Sequence, residues 1–197
     1  MPLELSDFAD ALPLTTHREF PLPMTLGVIS DTHVNPRGGR RMPMEALDLF
    51  ERFRVGLIIH LGDINCEDVL YQLADVAPLI AVVGNNDNPF LQRQLPQQVT
   101  FAVGQFTVGA IHGHQGISAR QTAIQTFGGK VDLCLYGHSH VPKIERVEET
   151  IFFNPGSATE RRFSEHCGVG LIQFLERGIE PELVLYKEPA HLRNIRP

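Results

Sequence analysis

Tryptophan is absent from this 197-residue chain, and cysteine is scarce: Cys66, Cys134 and Cys167. Odd in number and widely scattered, they can build neither a disulfide framework nor a Cys-x-x-Cys zinc site. A reduced, cytoplasmic compartment is the natural expectation. Positive charge is also short, with 17 Lys and Arg against 23 Asp and Glu and a formal charge of −6. A net-acidic chain grips polyanions poorly by bulk electrostatics, which argues against nucleic acid as a bulk partner. Bound cations could still create a local positive site. No apolar run approaches the roughly 18 residues of a membrane span. The start, Met1-Pro2-Leu3-Glu4-Leu5-Ser6-Asp7, carries acids where a signal peptide needs a basic n-region. No membrane partner is expected. Internal repeats and low-complexity tracts are lacking too.

What remains is a globular composition, 43% apolar and 20% charged, of a length suited to one domain with a sizeable core. Residues 1–23 are punctuated by Pro2, Pro13, Pro21 and Pro23, while Leu5, Phe8, Ala9 and Leu12 fall at helical spacing. This predicts an N-terminal extension with a short docked helix, followed by a main domain over 24–197. That domain opens with three near-continuous apolar runs at 24–30, 55–61 and 79–83, as strands buried on both faces require. Helical patterns at 44–53 and 69–74 separate them, so the first half is a β-α-β-α-β unit with parallel strands. A hairpin over 99–103 and 106–111 follows, then a helix from Ser118 to Phe127. Five closely spaced strands, near 133–136, 143–147, 151–153, 168–174 and 183–186, predict a second, largely antiparallel sheet.

One kind of polar residue follows strand after strand. Asp31-Thr32-His33 ends the first, Gly62-Asp63 the second and Gly84-Asn85-Asn86-Asp87 the third; His112-Gly113-His114 and Gly137-His138-Ser139-His140 end later ones. Ligands bind beyond the carboxyl ends of strands in open α/β sheets, so these turns can converge. Taken singly, an Asp after a strand is usually a helix N-cap, an Asn a turn residue and a loop His solvated. Several strand ends each carrying ligand-type residues beside Gly are hard to obtain from turn chemistry alone. Asp, Asn and His without thiolate favour Mn, Fe, Zn, Ni or Co. Two ions could share a carboxylate, and Asp63, on the middle strand, is the expected bridge. In Asp-x-His, alternate residues of an extended segment face one way, which places Asp31 with His33 and His138 with His140.

Asp-x-His, Gly-Asp, Gly-Asn-x-Asp, His-Gly-His and Gly-His-x-His, in this order, resemble the calcineurin-like metallophosphoesterases. The short length and Asn154-Pro155-Gly156-Ser157 are similar to the small bacterial and archaeal phosphodiesterase branch, to which a retromer subunit is related. The resemblance implies a four-layer α/β/β/α sandwich of two mixed sheets. It implies one metal on Asp31, His33, Asp63 and His140, and a second on Asp63, Asn85, His112 and His138, with Mn preferred. The implied reaction is hydrolysis of a small-molecule phosphoester, most simply a diester, by in-line attack of a hydroxide bridging the two ions.

Many relatives carry His as the third residue of Gly-Asn-x-Asp, where it is thought to protonate the leaving group; here that catalytic position holds Asn86, which cannot act as an acid. His114 is the alternative proton donor or phosphate contact. Arg37, in a basic loop with Arg40 and Arg41, and Arg161, beside Arg162, are the substrate-binding candidates. His60, inside a strand, reads as a buried histidine satisfied by backbone. An exposed sheet edge or the N-terminal segment could support homo-oligomers. The competing reading is a non-catalytic, metal-bound interaction scaffold of the same fold, against which all seven ligand positions hold competent residues. A nuclease would want a basic, extended face, which this chain lacks.

Overall fold

The computed structural model describes residues 12–197. Strand β1 (Glu19–Phe20) is short; β2 (Met24–Ile29), β3 (Leu57–His60) and β4 (Leu79–Ala81) alternate with helices α1 (Met44–Arg52) and α2 (Asp68–Ala74). Helix α3 (Pro89–Gln94) leads to β5 (Gln98–Val103) and β6 (Phe106–Ile111), and α4 (Ala119–Phe127) to β7 (Leu133–Tyr136). The chain ends with β8 (Lys143–Val147), β9 (Thr150–Asn154), β10 (Cys167–Leu175), β11 (Gly178–Tyr186) and a 3-10 turn over Pro189–Asn194.

The apolar runs are continuous because each strand buries both faces. Leu26, Val28, Leu57 and Ile59 point between the two sheets and meet Phe101, Val108, Leu133, Leu135 and Phe153. Ile29, Ile58 and Leu79 point outwards under Leu47, Phe50, Leu70 and Leu73 of α1 and α2. On the far side, Ile111, Cys134 and Phe152 carry Ala123 and Phe127 of α4. Three apolar interfaces between helix, sheet, sheet and helix layers make the four-layer α/β/β/α sandwich expected from the resemblance.

The first sheet runs β11-β10-β2-β3-β4 and the second β1-β5-β6-β7-β9-β8. The expectation of a largely antiparallel second sheet is corrected here. It is mixed: β6–β7 and β7–β9 are parallel, β5–β6 and β8–β9 antiparallel. The strands near 168–174 and 183–186 leave it altogether, since β10 pairs antiparallel with β2 and carries β11. Strands buried on both faces fit either sheet by composition. The choice rests on the free edge of β2, where Gly170 stands opposite Val28 and leaves room for the Phe153 ring.

Leu5, Phe8 and Ala9 of the expected N-terminal helix lie outside the described residues. Leu12 and Leu14 pack on the outer core, Thr15 N–H donates to the Leu79 carbonyl at 2.8 Å, and β1 pairs with β5. Helix α4 begins as predicted, Ser118 accepting from the Gln121 amide. Helix α3, capped by Asn88 with Pro89 in its first turn, is an addition to the expected elements. The three cysteines are free, and among the described residues no helix is long and apolar enough to cross a membrane.

Candidate metal centre

Beyond the ends of β2 and β3 the chain keeps its parallel pairing through the turns: Asp31 N–H donates to the Gly62 carbonyl at 3.0 Å and His33 N–H to the Asp63 carbonyl at 2.9 Å. This segment is not extended. Asp31, His33 and Asp63 have φ of 52°, 43° and 56°, and His138 and His140 have 64° and 56°. Asp31 and His33 do fall in one cluster, as predicted, but through left-handed backbone and not through alternation along a strand; for His138 and His140 the predicted same-side arrangement is corrected. His138 and His140 are divided between two clusters.

Two triads result. Ligand atoms of Asp31, His33 and His140 lie within 4.8 Å of one another, as do those of Asp63, His112 and His138. Asp63 stands between them, with Oδ2 3.5 Å from His33 Nε2 and Oδ1 3.4 Å from His112 Nε2. The remaining contacts spare inward-facing atoms. Asp31 Oδ2 accepts from Ser30 Oγ at 2.6 Å and from His138 N–H at 3.0 Å, while Oδ1 has no hydrogen-bond partner. His112 Nδ1–H donates to the Leu61 carbonyl at 2.6 Å, fixing the tautomer with a lone pair on Nε2, which is likewise unpartnered. Buried polar atoms without partners are costly and call for an explanation. A borderline divalent ion is a fitting one for an oxygen and nitrogen donor set held by buried outer contacts.

Burial and the neighbouring charges set the protonation states in the absence of an ion. Burial pushes both carboxyls up, but His140 and the charge of His112 hold Asp31 below the usual carboxylate range. His112 and the two Asn86 donors hold Asp63 far below it. Burial pushes His33 and His138 down, keeping them neutral. His112 is drawn up, its burial outweighed by Asp63 and Asp31.

The other residues singled out in the sequence fall as follows. Asn85 lies exposed on the turn between Gly84 and Asn86. Asn86 donates from its backbone to Asp63 Oδ1 at 2.8 Å and from Nδ2 to Oδ2 at 2.7 Å, so it orients the central carboxylate. His114 sits beside the second triad, its ring 5.4 Å from His112 and 6.3 Å from His138. A pocket of about 380 Å³ opens on the centre, lined by His33, Asn35, Gly38, Arg40, Asn65, Asn86 and Arg162. Arg37 and Arg161 are not part of this lining, and Arg161 faces a neighbouring cavity instead. Asn154 Nδ2 donates to the Gly137 carbonyl, Ser157 Oγ to that of Asp31 and Thr159 Oγ1 to that of Thr32, at 2.9, 2.7 and 2.8 Å. Asn154-Pro155-Gly156-Ser157 thus braces both ligand turns from the second sheet. Two carboxylates escaped sequence reasoning: Asp87, which accepts from the Ile64, Asn65 and Gly84 amides, and Glu160. Asp87 had a readable signal, its place in Gly-Asn-x-Asp.

His60 is fully buried, as predicted. Its Nδ1 accepts from Gly62 N–H at 3.2 Å, which leaves Nε2–H for Thr32 Oγ1 at 3.0 Å. Burial pushes it down to about 3 from 6.5. Between those values the unfolded chain takes up a proton that the folded chain refuses, so the contribution of His60 is complete above pH 6.5 and is lost as pH falls towards 3. Urea unfolding of the metal-free chain should lose up to about 1.4 kcal/mol per pH unit through this residue, a slope that His60→Gln removes. Equal slopes in the two proteins would contradict this assignment.

Residues 24–177 match the calcineurin-like phosphoesterase superfamily domain. A probable metallophosphoesterase of Methanothermobacter thermautotrophicus is 34% identical over 144 residues, 72% of this chain and 81% of that protein. A phosphodiesterase of Methanocaldococcus jannaschii is 27% identical over 145 residues, 68% and 83% of the two chains. In fold, the chain is similar to the crystal structure of Vps29 of Entamoeba histolytica complexed with zinc (TM-score 0.64, 24% identity, 82% of this chain and 99% of that one).

Proposed function

Since the chain belongs to the calcineurin-like phosphoesterase superfamily, we propose that it is a metal-dependent phosphodiesterase acting on small phosphoesters. The observation that carries this reading is the place of Asp63, one oxygen towards each triad. Asp31, His33, His140 and Asp63 would hold one divalent ion, and Asp63, Asn85, His112 and His138 the other, Mn being the first choice. Such ions supply positive charge for phosphoryl oxygens and acidify water. The chain's own part is to keep both carboxylates ionised and His33 and His138 neutral, and to hold Asp63 in register through Asn86. With Asn86 engaged on Asp63 and no acid at that position, esters with good leaving groups, aryl or nucleotidyl, should be preferred to alkyl phosphates. His114, beside the second triad, would donate a hydrogen bond to the phosphoryl or leaving oxygen; burial pushes it down and keeps it neutral.

Hydrolysis of bis-p-nitrophenyl phosphate by chelator-stripped protein, before and after addition of Mn, tests the reading. Activity should vanish on stripping and return with the ion. The Vps29 likeness keeps a second reading in view, a metal-bound interaction scaffold. Silence with Mn, Ni, Co and Zn alike would favour it.

A further inference from the structure

Glu160 belongs to neither triad, yet its Oε2 lies 3.6 Å from His140 Nδ1 and 4.0 Å from His33 Nε2. Two guanidinium groups hold it there. Arg40 reaches Oε1 at 2.5 Å from the loop after His33, and Arg162 reaches Oε2 at 2.8 Å from the loop after β9. Both arginines line the pocket that also exposes His33 and Asn86. A carboxylate therefore sits at the mouth of the centre between two guanidinium groups and two imidazoles.

The same fork of N–H donors that binds a carboxylate binds a phosphate oxygen pair, and more strongly as the anion's charge rises. The Arg40 and Arg162 side chains are 39% and 50% exposed, and ion pairs this accessible to water are weak and readily exchanged. Resting on the phosphodiesterase reading, we propose that Arg40 and Arg162 are the phosphoryl-binding pair of the substrate pocket and that Glu160 is their resident stand-in, displaced when a phosphoester enters.

The test uses the metal-loaded chain, with inorganic phosphate binding followed by calorimetry and diester turnover followed in parallel. Glu160→Gln should tighten phosphate binding and lower KM by about fivefold with kcat and metal content unchanged, since a neutral amide competes weakly for the arginines. Arg40→Met and Arg162→Met should each weaken phosphate binding and raise KM by about tenfold or more, the effect of losing a hydrogen bond to a charged group. Arg40→Lys, which keeps the charge without the fork, should fall between, so that loss of contact is separated from loss of fold. Loss of metal in Glu160→Gln would make Glu160 part of the ion's own shell and overturn the proposal; arginine variants that bind phosphate like the parent would overturn it equally. Phosphate binding that follows these variants on a chain without phosphoesterase activity would sink the reading beneath and leave the anion site. Turnover indifferent to the arginines would do the reverse.

Discussion

Asp63→Asn should strip both metal ions from the chain and lower turnover by at least about 10²–10³-fold, the scale of losing a main electrostatic contributor. The reason is positional. Asp63 belongs to the second triad, facing His112 with one oxygen, and turns the other towards His33 of the first, with which that triad otherwise has no residue in common. An amide offers one acceptor, and its NH2 group would meet the Nδ2 donor or the backbone N–H of Asn86, both of which point at this side chain. Elemental analysis of the purified variant decides the matter, with a melting curve to establish that it folds. His114→Ala is the contrast: it stands outside both triads and should keep two ions per chain while changing turnover alone. Two ions retained by Asp63→Asn would remove Asp63 from the shared position.

The second large effect concerns a glycine. Gly84 enters the turn after β4 so closely against Asp63 that a Cβ at this position would overlap both the Asp63 backbone nitrogen and its Oδ1. Its own N–H is committed to Asp87 Oδ2 at 2.7 Å, so the turn cannot simply retreat. Gly84→Ala should therefore cost about 1–3 kcal/mol of stability as an overpacked site. It should also displace the Asp63 carboxylate, lowering metal affinity as well as the unfolding midpoint. Denaturant unfolding with and without added Mn measures both. A variant with parental stability and parental metal content would mean that the Asp63 turn yields more freely than its contacts suggest.

Much of the centre is legible in the order of residues along the chain. The strand-then-ligand pattern points directly to Asp31, His33, Asp63, His112, His138 and His140, since a short apolar run followed by Asp or His, beside Gly in all but the first, is written in consecutive residues. The β-α-β half of the fold is legible for the same local reason. What stays hidden is non-local. The pairing of β10 with β2 depends on a free edge about 140 residues away and on the room left by Gly170 for Phe153, and no periodicity encodes either. The left-handed backbone at the ligands is hidden too, because an alternating motif reads equally well as a strand. Arg40 and Arg162 cannot be told from Arg37 and Arg161 by charge alone. Arg37 and Arg40 share one loop and Arg161 and Arg162 another, so the difference lies in orientation within each: Arg40 and Arg162 turn to Glu160, which is silent in the sequence.

The left-handed ligand positions carry a consequence for how such a chain drifts over generations. A non-glycine side chain at positive φ costs up to about 1–3 kcal/mol, less for Asp and His than for most, and Asp31, His33, Asp63, His138 and His140 all stand there around one centre. Selection for folding alone would replace them, and glycine is the nearest relief. A lineage relieved of its chemistry should therefore erode at these positions before its core changes.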